Sequence, residues 1–424
     1  MAKGIKALIT PSVLKWAREN SGFANNIEVV AEKLGQKPET IELWEKGEKL
    51  PTFKQLMKIA NVYKRPIALF YREEPPENFK PIEDYRRLPD ATPLSESPQL
   101  HYEIRKARYR RESAIELFEE LGEEPPKFNQ KITLLDNPEE IGEKIRSWLK
   151  VDKEIQTKWK DAREVFNGWR QVLESFGILV FQTGGVDSPK GVEVSEMRGF
   201  AISDRPLPVI VVNSKDSFKG RIFSLLHELA HILLGDSGIS GGIIDDEMSE
   251  TMMLKTAKLK LNDKKKKIEI FCNHVAAATL LSSDWFQEDE LLLSYGNNWS
   301  DKSDEAVEKV AQRFKVSREF IWRRLSTLEF VNKSVYDKKR QELLDKSKQY
   351  DIESSRTKKI EKEGGFAPPH NRIISTIGKP YAELVLSNYY EGNINYSDVS
   401  DYLDMNLKHL PNIEKAIFGV SYST

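Results

Sequence analysis

The stretch RIFSLLHELAHILLG, residues 221–235, decides the fold of this chain. Its apolar side chains recur at helical spacing, and the glycine at its end is a typical helix stop. Three short runs rich in β-branched and aromatic residues precede it, FGILVFQ (176–182), RGFAISD (198–204) and PVIVVNS (208–214). Such runs, separated by Gly, Pro and Asp, predict three strands of one small sheet. The sequence therefore predicts an α+β fold, mostly helical, in which a buried helix packs on a small sheet.

The same stretch contains the pattern H-E-x-x-H, with His227, Glu228 and His231. On a helix, residues four apart share one face at about 5–6 Å, so both imidazoles can reach one metal ion. Glu228 then stands beside the site, where it can act on a metal-bound water without being a ligand. The alternative is a pair of core histidines satisfied by backbone carbonyls. The apolar flanks favour the metal site, because a buried histidine without a partner is costly.

A catalytic zinc site needs three protein ligands and an open position for water. The third ligand has several candidates, which are Glu269, His274 and, in the intervening segment, Asp245, Asp246, Glu247 and Glu250. A helix places a ligand more rigidly than a loop, and the helical face of Glu269 continues through Ala276, a small residue that allows close helix packing. His274 lies roughly 140° away from Glu269 around such a helix. These points favour Glu269 and leave the loop carboxylates open.

Composition limits the remaining possibilities. The chain has 424 residues, of which 39% are hydrophobic and 31% charged, so several domains are expected. The net charge of -1 gives no support for nucleic-acid or membrane binding from bulk charge, and any such binding needs a local patch. Cys272 is the single cysteine, which excludes a disulfide framework and a cysteine-rich zinc site. With no signal-like or membrane-spanning apolar run, we expect a cytoplasmic protein without a membrane partner.

Changes in residue composition and hydrophobic pattern divide the chain into four predicted regions. Residues 1–75 are short amphipathic helices, with thirteen Lys and Arg against nine Glu and no Asp, a local charge of +4. Residues 76–165 combine a proline-rich linker with a helical connector. Residues 166–335 hold the sheet and the H-E-x-x-H helix in a zincin-like domain. Residues 336–424 are a charged linker followed by a small C-terminal helical domain.

On these residues the chain resembles the ImmA/IrrE family of metallopeptidases, in the long form fused to an N-terminal Cro/C1-type (XRE) helix-turn-helix. The matching stretches are RGFAISD, PVIVVN, RIFSLLHELAHILLG, IEIFCNHVAAATLL and VSREFIWRRL. The resemblance implies a gluzincin-like site with His227, His231 and Glu269 as metal ligands and Glu228 as general base. The expected metal is Zn2+, although Mn2+ or Fe2+ suit the same ligands.

The resemblance also implies a substrate, a helix-turn-helix repressor whose cleavage or inactivation relieves repression. Two features depart from the family pattern: Ser282-Ser283 replaces a Met-Pro or similar pair, and the segment 236–268 is longer than usual. Both bear on substrate fit and regulation. The alternative function is a DNA-binding regulator or antitoxin in which the peptidase fold is a sensor or scaffold with little turnover. A peptidase of broad specificity is a third hypothesis, and the sequence does not indicate an oligomeric state.

The stretch KLGQKPETIELWEKGEKLPTFKQLMKIA, residues 33–60, resembles the second to fourth helices of a five-helix Cro/C1-type module. In that fold the third helix enters the major groove. Lys37, Thr40 and Lys46 are therefore the candidate DNA contacts. Glu39 and Glu42 on the same helix would repel phosphate, which weakens the case for DNA. Binding to another protein, or a structural role, is the alternative for this module.

Overall fold

The computed structural model describes residues 5–76, 83–84, 97–184, 191–240, 261–296, 299, 304–357 and 368–419. Helices surround one small sheet in these residues. The predicted fold class, α+β and mostly helical, is confirmed. None of the helices in the described part of the chain is long and apolar enough to cross a bilayer.

The N-terminal module is a small helical unit with its own hydrophobic core. Its elements are α1 (Pro11–Arg18), a π-helical turn (Glu19–Phe23), α2 (Ile27–Leu34), α3 (Pro38–Glu45), α4 (Phe53–Tyr63) and a 3-10 helix (Ile67–Tyr71). The fifth helix of the predicted module is thus a 3-10 helix. Arg18 donates hydrogen bonds of 2.7 and 3.0 Å to the Glu45 carboxylate, which joins α1 to the end of α3. This paired geometry offsets the desolvation of the buried Arg18 guanidinium.

Four connector helices follow, and each begins at a residue whose side chain caps it. They are α5 (Pro98–Glu120), α6 (Pro138–Leu149), α7 (Lys153–Lys158) and α8 (Ala162–Ser175). Their caps are Ser97, Asn137, Asp152 and Asp161. Arg105 on α5 donates a hydrogen bond of 2.8 Å to the carbonyl of Lys64, and this bond ties the N-terminal module to the connector.

The sheet has five strands, and the three predicted ones form its centre and one edge. The strands are β1 (Glu83–Asp84), β2 (Leu179–Gln182), β3 (Gly199–Ile202), β4 (Val209–Val212) and β5 (Gly238–Ser240), in the order β1-β5-β3-β4-β2. Strand β2 runs parallel to β4, β3 is antiparallel to both β4 and β5, and β1 is parallel to β5. The prediction missed β1 and β5, because a strand of two or three residues shows no alternation that a pattern can detect.

Helices cover both faces of the sheet. On one face Val180, Ala201 and Ile210 pack into a core with α8 and with the helix of the opening stretch, α9 (Phe218–Leu234). On the other face Phe181 and Phe200 share a second core with α5 and with C-terminal helices. Strands β2, β3 and β4 are therefore each buried on both faces, as their nearly continuous apolar sequences require.

The remaining helices complete the two cores. After α9 come α10 (Leu261–Leu280), α11 (Trp285–Glu288), α12 (Glu290–Tyr295), α13 (Asp304–Phe314), α14 (Arg318–Thr327) and α15 (Lys333–Thr357). The C-terminal group consists of α16 (Pro369–Ile377), α17 (Lys379–Tyr390), α18 (Tyr396–Leu403), a 3-10 helix (Leu407–His409) and α19 (Leu410–Phe418). The hydrophobic clusters cross the predicted boundaries at 165/166 and 335/336, and those boundaries remain predictions.

Candidate metal centre

Helix α9 presents its two histidines from a continuously buried stretch. The helix begins at Ser217, whose hydroxyl accepts a hydrogen bond of 3.1 Å from the amide of Gly220. Every residue from Ser224 to Leu233 is buried. The rings of His227 and His231 lie one turn apart with 4.9 Å between centroids, and their Nε2 atoms are 3.1 Å apart. Both nitrogens therefore face one point.

The third member of the cluster comes from α10. The Glu269 carboxylate lies 3.3 Å from Nε2 of His227 and 3.0 Å from Nε2 of His231. One possible ligand atom from each of these three residues lies within 4.8 Å of the other two, and all three residues are buried. Two imidazole nitrogens and one carboxylate oxygen are the donor set of many catalytic zinc sites, so the residues present suit a divalent metal.

The charges of the cluster are strongly coupled. Burial raises the pKa of Glu269, but the charges and hydrogen bonds of His227 and His231 outweigh burial and lower it to about 2. Burial alone lowers the pKa of His231, whereas Cys272, Asp236 and Glu269 outweigh it and raise the pKa well above its ordinary value. A metal ion bound by this set would compete with protons for the imidazole of His231.

A carboxylate behind the cluster orients the imidazole of His231. The Nδ1 atom of His231 lies 3.3 Å from Oδ2 of Asp236, which is the arrangement that fixes the tautomer of a metal-binding histidine. The sequence prediction did not include Asp236. The feature that could have identified it is its position directly after the glycine that ends α9. On the other side, the ring of Phe223 lies 6.3 Å from that of His227.

Glu228 is fully buried beside the cluster, and it packs against the backbone of β3. A Cβ placed on Gly199 would lie 2.7 Å from Oε1 of Glu228 and 3.1 Å from its Cγ. A glycine at this strand position thus makes the space in which the carboxylate sits. Gly199 was also missed, although a glycine inside a predicted strand is a known sign of close approach.

Of the other third-ligand candidates, the structure describes His274 and separates it from the cluster. His274 points elsewhere on α10, and its Nε2 lies 2.6 Å from Oε1 of Glu139. Arg324 donates two hydrogen bonds of 2.5 Å to the same carboxylate. Asp245, Asp246, Glu247 and Glu250 lie outside the described residues, together with most of the segment 236–268.

Cys272 lies on α10 next to His231, and it is completely buried. Burial raises the pKa of its thiol to about 11. A neutral thiol is a poor metal ligand. Among the described residues, the only group of three or more possible ligands within mutual reach is His227, His231 and Glu269.

A backbone contact with α6 positions α10. A Cβ on Gly142 of α6 would lie 2.7 Å from the carbonyl carbon of Ala278. Nearby, the Arg146 guanidinium donates a hydrogen bond of 2.6 Å to the carbonyl of Thr279, and Gln156 donates one of 3.0 Å to that of Leu280. The carboxyl end of the helix that carries Glu269 is therefore held by main-chain contact and by hydrogen bonds to its last carbonyls.

The N-terminal candidates lie along one exposed helix. Lys37 precedes α3 and Lys46 follows it, and both are exposed, whereas Thr40 in the first turn is half-buried. Glu39 and Glu42 are exposed on the same helix. Cations and acids thus share this surface, as the sequence predicted. The roles of these residues in binding remain predictions.

Comparison with known families gives one match over the metal-centre region and one over the N-terminal module. Residues 173–326 match the model of a peptidase family described as the IrrE N-terminal-like domain, and residues 14–70 match a helix-turn-helix model. The first match contains α9 and α10, and the second begins within α1 and contains α2 to α4. The resemblance stated from the sequence is confirmed. No curated protein matches the chain.

Proposed function

Because the chain joins a helix-turn-helix to an IrrE N-terminal-like domain, we propose that it is a metal-dependent endopeptidase that cleaves or inactivates a helix-turn-helix repressor. The matches to a peptidase-family model and to a helix-turn-helix model support a fusion of these two kinds of domain. Repressor cleavage, which would relieve repression in stress, mobile-element or toxin–antitoxin regulation, is the proposal.

One observation carries the peptidase assignment, the buried cluster of His227, His231 and Glu269 with Glu228 beside it. A purely structural pair of core histidines would be expected to bond to backbone carbonyls. Here the two Nε2 atoms face each other and a carboxylate. Such an arrangement is costly in a buried site unless a cation or protons are bound there.

The proposed reaction is hydrolysis of a peptide bond. His227, His231 and Glu269 would hold a divalent ion, which would supply Lewis-acid polarisation of a water molecule and of the scissile carbonyl. The Glu228 carboxylate accepts the proton of the attacking water and then donates it to the leaving amine. The apolar residues around α9 exclude bulk water, which strengthens the electrostatic interactions of Glu228. We propose Zn2+ as the metal, and the same ligands also suit Mn2+ or Fe2+.

The N-terminal module supplies targeting in this proposal. Its exposed α3 carries Lys37 and Lys46, which suit DNA phosphate, but also Glu39 and Glu42, which oppose it. A helix-turn-helix can also pair with another of its kind, so the module can recruit a repressor substrate directly. Either mode brings the peptidase domain to a repressor.

The test is a comparison of protein N-termini in host cells that express the wild-type chain or Glu228→Gln. We expect a new N-terminus within a helix-turn-helix repressor that depends on the wild-type chain, with cleavage at least about a hundred-fold slower in Glu228→Gln. The matched control is Glu288→Gln, which removes an exposed carboxylate of the same domain. Equal cleavage by Glu228→Gln, with its metal content intact, would exclude the proposed mechanism.

The second candidate is a DNA-binding regulator or antitoxin whose peptidase fold is a sensor or scaffold. The exposed α3 with its flanking lysines favours it. The two functions differ in one readout. Operator binding that is the same in wild type and Glu228→Gln, with no new N-terminus in any repressor, would support the regulator.

A further inference from the structure

A cavity of about 990 Å³ lies away from the metal centre. Its walls are α8, the carboxyl ends of β2 and β4, the first turn of α9, and the helix α16. Its volume is that of a typical small-molecule site. Crevices at the carboxyl ends of parallel strands are common ligand sites in open sheets. Nothing in the proposed peptide hydrolysis uses this space.

The described residues that line the cavity carry an excess of positive charge. Two carboxylates, Glu174 and Glu383, face six cations, which are Arg163, Arg170, Lys215, Arg221, Arg372 and Lys379. Both carboxylates are already used, because Glu174 lies 2.9 Å from Arg170 and Glu383 lies 3.6 Å from Lys379. Two further carboxylates act from outside the cavity wall, because Glu193 pairs with Lys215 at 2.5 Å and the charge of Asp216 acts on Arg221.

Arg221 is held in place without a direct carboxylate partner. Its guanidinium donates hydrogen bonds to the side-chain amide oxygen of Gln182 at 2.8 Å and to the backbone carbonyls of Asp216 and Ser214 at 2.8 and 2.5 Å. Gln182 in turn donates to the carbonyl of Ser375 on α16 at 2.6 Å. This network fixes the guanidinium between uncharged oxygens, and so preserves its positive charge at the cavity wall.

A second guanidinium approaches the same place. Arg163 and Arg221 lie 5.1 and 4.4 Å from the ring centroid of Phe218. Burial lowers the pKa of Arg221, the charge of Asp216 opposes this effect, and the charge of Arg163 adds to the lowering. Two like charges that share one aromatic ring repel each other, and an anion between them would relieve this repulsion.

We propose that this cavity binds a small molecule with two or more phosphate groups, of about the size of a nucleoside diphosphate, with its phosphates between Arg163, Lys215 and Arg221. Guanidinium groups bind phosphate oxygens in pairs, which suits phosphate better than a single carboxylate. A recess of this volume also fits a whole small ligand. The proposal does not depend on peptidase activity.

The test is calorimetric titration of the full chain with inorganic pyrophosphate and with ADP, in buffer free of added divalent metal. We expect one site per chain for both probes, with mutual competition and tighter binding of ADP. The double variant Arg163→Gln/Lys215→Gln should bind each probe at least about ten-fold more weakly. Neither side chain belongs to the core: Arg163 is exposed, and Lys215 pairs with the exposed Glu193.

The matched control is Lys158→Gln/Lys160→Gln, which removes two exposed charges near α8 that do not line the cavity. It should bind both probes as the wild type does. The proposal is overturned if neither probe binds, or if the control loses as much affinity as Arg163→Gln/Lys215→Gln. Binding that is unchanged in Arg163→Gln/Lys215→Gln would place the probe elsewhere, including at the metal centre, and also overturns it.

Discussion

Gly142 sets the distance between α6 and α10, the helix that carries Glu269. A Cβ at this position would lie 2.7 Å from the carbonyl carbon of Ala278 and 2.9 Å from the amide nitrogen of Thr279. Carbon atoms in contact prefer about 3.5–4.0 Å, so the two helices must separate by about 0.8 Å to admit a methyl group. We predict that Gly142→Ala destabilises the protein and weakens metal binding.

Two effects of opposite sign decide the size of the stability change. Alanine favours a helix over glycine by about 1 kcal/mol. Overpacking a core costs about 1–3 kcal/mol, and the upper end applies because the obstructing atoms at Ala278 are main-chain atoms that no rotamer can move. The free energy of unfolding should therefore fall by about 1–2 kcal/mol.

Metal binding should weaken because Glu269 moves with α10. Glu269 lies nine residues before Ala278, about 13 Å along the helix axis, so a shift at one end is transmitted to the other. Changes in the groups that support metal ligands typically cost ten- to hundred-fold in affinity. We expect a loss of about ten-fold in zinc affinity for Gly142→Ala.

Urea unfolding of the metal-free protein measures the first effect, and zinc competition with a chelator measures the second. The matched control is Gly168→Ala in α8, which forces a Cβ against the ring of Trp159 on a helix without a ligand. The control should lose stability and keep its zinc affinity. Wild-type stability in Gly142→Ala, or unchanged zinc affinity, would refute the role given to this contact.

Three further predictions concern other parts of the chain. Gly199→Ala should keep its metal but lower kcat about ten- to hundred-fold, because its Cβ displaces the Glu228 carboxylate. Burial raises the pKa of Glu139, but hydrogen bonds from a histidine and an arginine hold it well below 4.5. The stability that this depressed pKa contributes is present above about pH 4.5 and lost as the pH falls, so Glu139→Gln should flatten the acid limb of urea unfolding measured against pH. Lys37→Gln and Lys46→Gln should each weaken DNA binding on all sequences and reduce the salt slope by about 1, as salt titrations measure.

Each of these has a clear contrary result. Wild-type turnover in Gly199→Ala would mean that the position of Glu228 is not critical. An acid limb in Glu139→Gln that matches the wild type would assign the pH dependence to other carboxylates. Salt slopes that do not change would place Lys37 and Lys46 outside any DNA interface.

The parts predicted from sequence are those with a strong local signal. The opening stretch forms α9 because its apolar spacing, its start and its final glycine agree. Glu269 was favoured as the third ligand by its helical face together with the family resemblance, while the loop carboxylates stayed open, and the structure groups it with His227 and His231. His274 was set aside on its helical angle, and it lies instead against Glu139.

The parts that were missed depend on contacts between distant segments. Strand β1 lies in a proline-rich stretch and exists through its pairing with β5, which no local pattern encodes. Gly142 and Gly199 have meaning only through the backbone or side chain that each one admits. The contact of the C-terminal helices with the sheet is also long-range, since the ring of Tyr381 packs on that of Phe181 at 5.6 Å between centroids; their assignment to a small C-terminal domain stays a prediction.

The central claim is that His227, His231 and Glu269 together hold one metal ion. Elemental analysis of the purified chain after zinc reconstitution and dialysis tests it most directly. We expect about one zinc per chain for the wild type and for the control His370→Ala, and almost none for His231→Ala. One zinc per chain in folded His231→Ala, or none in the wild type, would contradict it.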